Sequence, residues 1–451
     1  MKIELISVFD LMVGFGWLII LMIFFWIVRL INVEKPHFKL FYPAMLFKLG
    51  FGLLFALTYT LVLKGGDTTA YWEGAVKLNH LFWDSPEAYF REMIQIPSSE
   101  TIRNYFNQRT GYPPSWIYRE PESFFVSKIV SLFTFVTFNS YLAMSLLSAA
   151  IVGFTSWKLY ELVKDFTFCK HWILAGATLF IPTVAFWSSG VSKDTFVLAA
   201  FQTIVYIVFS LLLKKKQFNL KYFLLLFISI FFLYKMRDFM LIAIAVPLAT
   251  VMMSRIIKNM KSNPLVLWTF RILFTTAAIG LTLIYLQTLG NQLAENAYLE
   301  ELAVVQQDFA QNKLYTGPKY DLGITDYSPI GILGAVPISI FTAFYRPFLW
   351  EASSAFLLLS ALEGIFMMAL TYGFFFRSGR IKKHFQFIKS KEFLIFALLF
   401  SLILGFFAGF TSGLFNVLIR FKAPFMSLIV IFLASRQPKI IKQSVGGDTQ
   451  R

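Results

Sequence analysis

Long apolar stretches recur from one end of this chain to the other, separated by short charged turns. About 20 apolar residues cross one hydrocarbon core, so 451 residues built this way supply roughly ten crossings and leave few for a soluble domain. Composition agrees: 57% of the residues are apolar and 15% charged, with mean hydropathy +0.65. A soluble chain runs at about 45–50% apolar and about 25% charged, so the excess must face lipid. An aqueous enzyme with a single membrane anchor is ruled out. The first stretch, Leu5 to Ile31, is too long for a signal h-region and has no small-residue cleavage motif behind it, so it is expected to remain as a membrane helix.

The net charge of +16 is distributed rather than patched. Basic blocks at Arg29/Lys35/Lys39, Lys158/Lys164/Lys170, Lys214–Lys216/Lys221, Arg255/Lys258/Lys261, Arg377 to Lys391 and Arg436/Lys439/Lys442 alternate with acidic or mixed loops. The positive-inside rule puts those blocks in the cytoplasm. The loop from Lys64 to Glu122 holds six Lys/Arg against eight Asp/Glu, and that from Asn291 to Pro329 two against six, so both face outward. Because topology accounts for the basic residues, nucleic-acid binding is disfavoured.

With those anchors the chain reads as an all-α polytopic membrane protein of about eleven spans: 5–29, 41–63, 140–163, 172–187, 194–213, 220–235, 239–253, 264–290, 352–376, 392–415 and 421–435. The N-terminus is then outside and the C-terminus cytoplasmic. Two stretches, 124–138 and 330–347, would each put a basic block on the wrong side if counted alone, so both are expected to be re-entrant or interfacial. One transmembrane domain, 1–442, would carry extracytoplasmic loops 64–123 and 291–329 and end in a disordered cytoplasmic tail, 443–451. Several spans fall short of the ~20 residues a crossing needs, which points to a recessed outward-facing cavity. Alternating apolar and charged positions in Ala70–Leu81 and Pro86–Ile96 fit interfacial helices, and GYPPSWIY is expected to be extended.

Ionisable groups at membrane depth are costly and persist with a partner or a function. Here they gather on the outer side. Asp67 follows the second span in GGDTTAYWEGA; Lys193 and Asp194 join two short spans in FWSSGVSKDTF; Lys235, Arg237 and Asp238 join two more in YKMRDF. Arg346 and Glu351 flank the second re-entrant stretch in FYRPFLWEA, and Arg420 with Lys422 opens the last span in NVLIRFKAPF. Such a rim suits sugar transfer from a polyprenyl phosphate or pyrophosphate: a carboxylate takes the proton of an acceptor hydroxyl, and cationic forks hold the phosphate. Asp67 is the candidate base, after two glycines that let the backbone turn, with Tyr71 one helical turn later. Arg237, Arg346 and Arg420 are the candidate phosphate clamps.

Each residue also has a plainer reading. Asp67 would N-cap the following helix. Lys193–Asp194 and Arg237–Asp238 would be ion pairs between sequence neighbours, Arg346 an interfacial anchor, and Arg420 and Lys422 snorkelling side chains. Asp10, Lys48 and Arg271 would be snorkelling groups or inter-helix pairs, whereas Glu363 lies mid-span and resists that reading. Trp72, Trp83, Trp116 and Tyr118 are candidates for stacking on sugar rings. The four histidines lack metal-ligand spacing and Cys169 stands alone, so no metal site, disulfide framework or cofactor is expected.

An acidic residue at the membrane surface, opening a first outer loop of interfacial helices, resembles the GT-C superfamily of polytopic glycosyltransferases, which use lipid-phosphate-linked sugars. The blocks GDTTAYWEGA, PTVAFWSSGVSKDTF, YRPFLWEASS with LEG, and NVLIRFKAP are also similar to those of O-antigen polymerase (Wzy-like) proteins of bacterial polysaccharide assembly. The resemblance implies Asp67 as catalytic base and Arg420 as a phosphate-binding arginine. It implies a polyprenyl-linked sugar donor, a lipid-linked or glycan acceptor, and the bacterial inner membrane. It leaves single-sugar transferase and polymerase both open. Two departures matter: the acid follows the second span rather than the first, and no DxD motif is present, which favours a metal-free mechanism. The rival from another class is a transporter or flippase of lipid-linked glycan or a small anion, since broken helices and midplane charges also serve transport.

Overall fold

The computed structural model describes residues 6–167, 169–259, 269, 317–324, 329–376 and 391–435. Span 264–290 apart from residue 269, loop 291–329 apart from 317–324 and 329, most of the Arg377–Lys391 block, the tail 443–451 and Arg271 lie outside them. Among the described residues the chain is helical, and seven helices are long and apolar enough to cross a membrane.

The first is α1 (Val8–Ile31), which follows a Ser7 cap. Helix α2 (Phe41–Leu57) runs on into a π-helical turn, Thr58–Val62, where the Thr58 and Thr60 hydroxyls donate back to Leu54 O (2.7 Å) and Ala56 O (2.8 Å). The outer loop then folds as α3 (Asp67–Asp84), α4 (Pro86–Ile94), α5 (Ser99–Tyr105) and α6 (Ser115–Arg119). GYPPSWIY is therefore extended only to Pro114, because a proline cannot donate within a helix but starts one readily. Helix α7 (Pro121–Thr137) packs along α3, burying Ala75, Leu78 and Leu81 against Phe124, Val126 and Val130. Trp72 and Tyr118 belong to this core, at 4% and 3% exposure, so neither can stack on a sugar; Trp83 and Trp116 remain exposed.

The α7 chain turns through Phe138 and Asn139, both at positive φ, into α8 (Tyr141–Val163), against which α1, α2 and α11 pack. Asp10 is not a snorkelling group: its Oδ1 accepts the Leu142 N–H at 3.4 Å, tying the starts of α1 and α8. The stretch 172–187 is two helices, α9 (His171–Leu179) and α10 (Pro182–Trp187), because Pro182 interrupts the ladder. Then come α11 (Lys193–Lys214), α12 (Leu220–Met236) and α13 (Phe239–Asn259).

The C-terminal part contains α14 (Pro329–Tyr345), α15 (Ala355–Phe376), α16 (Glu392–Thr411) and α17 (Phe415–Ala434). Helix α17 begins six residues before the expected start of the last span, so Arg420 and Lys422 lie within it rather than at its end. Along α14, Ser339 abuts Gly409 near the end of α16, while Phe344 abuts Gly405 and Tyr345 abuts Gly364, the tenth residue of α15. A Cβ on Gly409 would collide with the Ser339 carbonyl, so glycine is required at that crossing. The break between α16 and α17 is closed by residues 317–324: Tyr320 N–H donates to Gly413 O (2.9 Å) and Phe415 N–H to Pro318 O (3.1 Å).

Candidate functional site

Four charged groups, three from joints between helices and Arg420 from within α17, meet at one end of the bundle. Lys64, Gly65 and Gly66 take φ of +53°, +142° and +130°, a sharp turn that delivers Asp67 as the first residue of α3. Gly66, not Asp67, occupies the cap position, so the capping reading of Asp67 fails and its side chain is left for other work. That side chain is 49% exposed, and its Oδ2 lies 3.6 Å from Arg420 Nη1.

Arg420 reaches Asp67 from the second turn of α17, with its Nε donating to Asp194 Oδ2 at 2.7 Å. Asp194 is buried in the first turn of α11, where the helix dipole favours a carboxylate. Its other oxygen, Oδ1, receives Arg237 Nη2 at 2.5 Å from the α12–α13 joint. Aromatic faces back both guanidinium groups: Arg237 lies 4.3 Å from the Phe421 ring centroid and Arg420 5.7 Å from that of Trp187. Tyr71 is buried one turn beyond Asp67; burial first, then the Asp67 charge, raises its phenol pKa and keeps it protonated.

The pairs expected between sequence neighbours do not form. Asp194 pairs with Arg237 and Arg420, whereas Lys193 turns to Glu122 of α7 at 3.5 Å. Asp238 accepts the Phe239 N–H at 2.7 Å, at the start of α13, and faces away from Asp194's cluster into a neighbouring cavity. Lys193 and Asp194, successive residues in the first turn of α11, point about 100° apart, and Arg237 parts from Asp238 because its backbone is extended (φ −158°, ψ 81°) between α12 and α13.

Arg346, Glu351 and Lys422 form a separate group. Arg346 Nε lies 3.0 and 3.2 Å from the two Glu351 oxygens, and Nη2 also bonds Oε1, so the carboxylate already occupies much of this fork. Tyr320 and Phe415 rings flank the guanidinium, each at 5.3 Å. The Lys422 ammonium donates to Arg346 O and is buried at 2% exposure, which overturns its reading as a snorkelling side chain. Below it, Glu363 accepts the Thr183 N–H (3.0 Å) and hydroxyl at the start of α10. Glu363 also lines an apolar cavity of about 300 Å³ between α9, α10, α15 and α17. Lys48 is no snorkeller either: it is 3% exposed and donates to Ser188 Oγ at 3.1 Å.

Sequence reasoning missed Glu122, Trp187 and Phe421 as members of the site. Trp187, inside the FWSSG block, and Phe421, between Arg420 and Lys422 in NVLIRFKAPF, lie in stretches the charges already marked; Glu122 carries no such signal. Among the described residues, no three His, Cys, Asp or Glu side chains come together as a metal cage. Comparison with protein families, curated proteins and solved structures gave no match to this chain.

Proposed function

We propose that the Asp67–Arg420–Asp194–Arg237 cluster is the centre of a membrane glycosyltransferase or glycan polymerase working on a polyprenyl-phosphate-linked donor. The observation that carries this reading is the division of labour on Arg420. Its Nε is anchored to buried Asp194, while Nη1 stands 3.6 Å from half-exposed Asp67, beyond hydrogen-bond length. A phosphate oxygen can therefore take the terminal nitrogens without breaking the anchor, and charge that develops as the phosphate leaves meets a fixed cation. Asp67 is the base that accepts the acceptor hydroxyl's proton. Asp194 positions both arginines and touches no substrate.

The cluster is on the extracytoplasmic side in this reading, with the basic joints around Lys158, Lys164 and Lys214 in the cytoplasm. The eleven-span arrangement is part of the same proposal. One observation supports the re-entrant reading of 124–138. Helix α7 starts beside Lys193 and ends beside Ser140, both at helix starts on the Asp67 side. The bacterial inner membrane and the acceptor, a lipid-linked or free glycan, follow from the resemblance.

A second reading, transport, draws on one observation: Lys48 is buried near the middle of α2 beside the broken α9–α10 pair, an arrangement also suited to carrying an anion. Purified Asp67→Asn in lipid nanodiscs separates the two. Transfer requires that polyprenyl-linked donor still binds within threefold of wild type while product falls at least a hundredfold. Wild-type product from this variant, or donor binding lost together with product, overturns the assignment of Asp67 as base.

A further inference from the structure

Beside the Asp67–Asp194 cluster lies a second cavity, of about 570 Å³, between the end of α4, the start of α7 and the end of α12. Ligand sites commonly enclose about 300–1,000 Å³, so its size suits one or two sugar rings. Its rim is built rather than incidental. The buried Lys128 ammonium donates to Glu92 O and to Gln95 O (2.7 Å), strapping the 92–97 backbone across α7, and the buried Glu92 carboxylate takes the Tyr118 hydroxyl (3.1 Å) behind it. The other polar groups lining the space are Glu122, which also holds Lys193 (3.5 Å), Asp238, whose Oδ1 accepts the Phe239 N–H (2.7 Å), and Lys235. No described carboxylate forms an ion pair with Lys235, whose ammonium stands 5.7 Å from the Tyr234 ring and 6.0 Å from that of Phe231. Phe125, edge-on to Phe231, completes an aromatic wall.

Carboxylate acceptors, one ammonium donor and ring faces together match a carbohydrate, which presents hydroxyls at its edge and C–H groups on its face. The cavity joins the cluster at two points. Glu122 holds Lys193, the neighbour of Asp194, and Asp238 follows Arg237. We infer that this cavity is a saccharide-binding subsite, lined by Glu122, Phe125, Tyr234, Lys235 and Asp238, that holds the sugar end of the acceptor. Its role as acceptor site rests on the transfer reading; its binding of a saccharide does not.

The test uses full-length protein in nanodiscs and saturation-transfer NMR with methyl glycosides of glucose, galactose, rhamnose and N-acetylglucosamine. Glycerophosphoethanolamine serves as the zwitterionic lipid-headgroup arm. At least one glycoside is expected to bind wild type, with at least tenfold weaker binding to Asp238→Asn and to Gln95→Trp. The latter fills the cavity from an exposed rim residue and gives up one exposed hydrogen bond, from the Tyr105 hydroxyl to Gln95 Oε1 (3.2 Å). Asp67→Asn is expected to bind glycoside as wild type does. Glycoside binding unchanged in both cavity variants, absent throughout the panel, or replaced by binding of glycerophosphoethanolamine alone overturns the subsite. If the cavity variants lose glycoside and Asp67→Asn still makes product, the subsite stands and the transfer centre falls. If the cavity variants bind normally and Asp67→Asn makes none, the converse holds.

Discussion

Replacing Asp194 by Asn keeps the shape of the side chain and removes the one charge that two guanidinium groups share. The Arg420 Nε contact is 2.7 Å and the Arg237 contact 2.5 Å, with Asp194 4% exposed. At an effective dielectric of about 20, one unit-charge pair at that separation is worth roughly 6 kcal/mol before desolvation is subtracted. Removing one partner of a buried pair costs about 3–5 kcal/mol, because the cations stay buried without compensation. Asp67→Asn breaks only a half-exposed contact at 3.6 Å, where the loss is about 0–1 kcal/mol. Stability in mixed micelles, titrated with SDS and read by tryptophan fluorescence, should therefore fall for Asp194→Asn by about a hundredfold to a few thousandfold in the folding constant, at 1.4 kcal/mol per tenfold. Adding Arg237→Gln to Asp194→Asn should recover part of that loss by removing one of the stranded cations. Equal and small effects of Asp194→Asn and Asp67→Asn would refute the argument that Asp194 is the anchor and Asp67 the working group.

Three further outcomes follow from the same geometry. Arg420→Lys keeps the charge but loses the fork that spans Asp194 and the open side, so product formation should drop at least tenfold with little change in stability; wild-type turnover would remove Arg420 from the site. Gly409→Ala drives a methyl group into the Ser339 carbonyl and should cost about 1–3 kcal/mol in the same SDS titration, whereas Gly373→Ala, which meets nothing within 4 Å, should be neutral or mildly stabilising. Burial raises the Glu92 carboxyl above its ordinary value of 4.5, against the opposing pull of Lys128 and the Tyr118 hydroxyl. Its stabilising contribution is thus complete below that ordinary value and is lost as pH rises through the folded value, so protease resistance of the α3–α7 layer should decline with rising pH above about 4.5. Glu92→Gln should flatten that decline; an unchanged profile would show that another group titrates.

That charge collects at one end of the helix bundle was legible in the chain, because short apolar stretches and turns bracket Asp67, Asp194 and Arg237. The pairing was not. Lys193–Asp194 and Arg237–Asp238 look like pairs on paper, yet the partners of Asp194 come from residues 43 and 226 positions away, a choice made by helix packing. The start of α17 was misjudged for a related reason: Arg420 and Lys422 resemble the end of a span until the buried acceptors, Asp194 and the Arg346 carbonyl, are in place. Trp72 and Tyr118 read as sugar platforms from residue type alone, because an aromatic ring can stack on a sugar face. The α3–α7 contact instead claims both for its core. Glu363 could be singled out as a mid-span carboxylate, but its Thr183 partner depends on the break at Pro182, which no local pattern ties to α15.

The central claim, that Asp67 and Arg420 perform sugar transfer from a lipid-linked donor, is tested most directly by the lipid-linked glycan profile of cells carrying wild type, a deletion, Asp67→Asn or Arg420→Ala. With both variants present in the membrane at wild-type levels, the account predicts that each accumulates the same truncated or unpolymerised lipid-linked glycan as the deletion. A profile indistinguishable from wild type in either variant contradicts it.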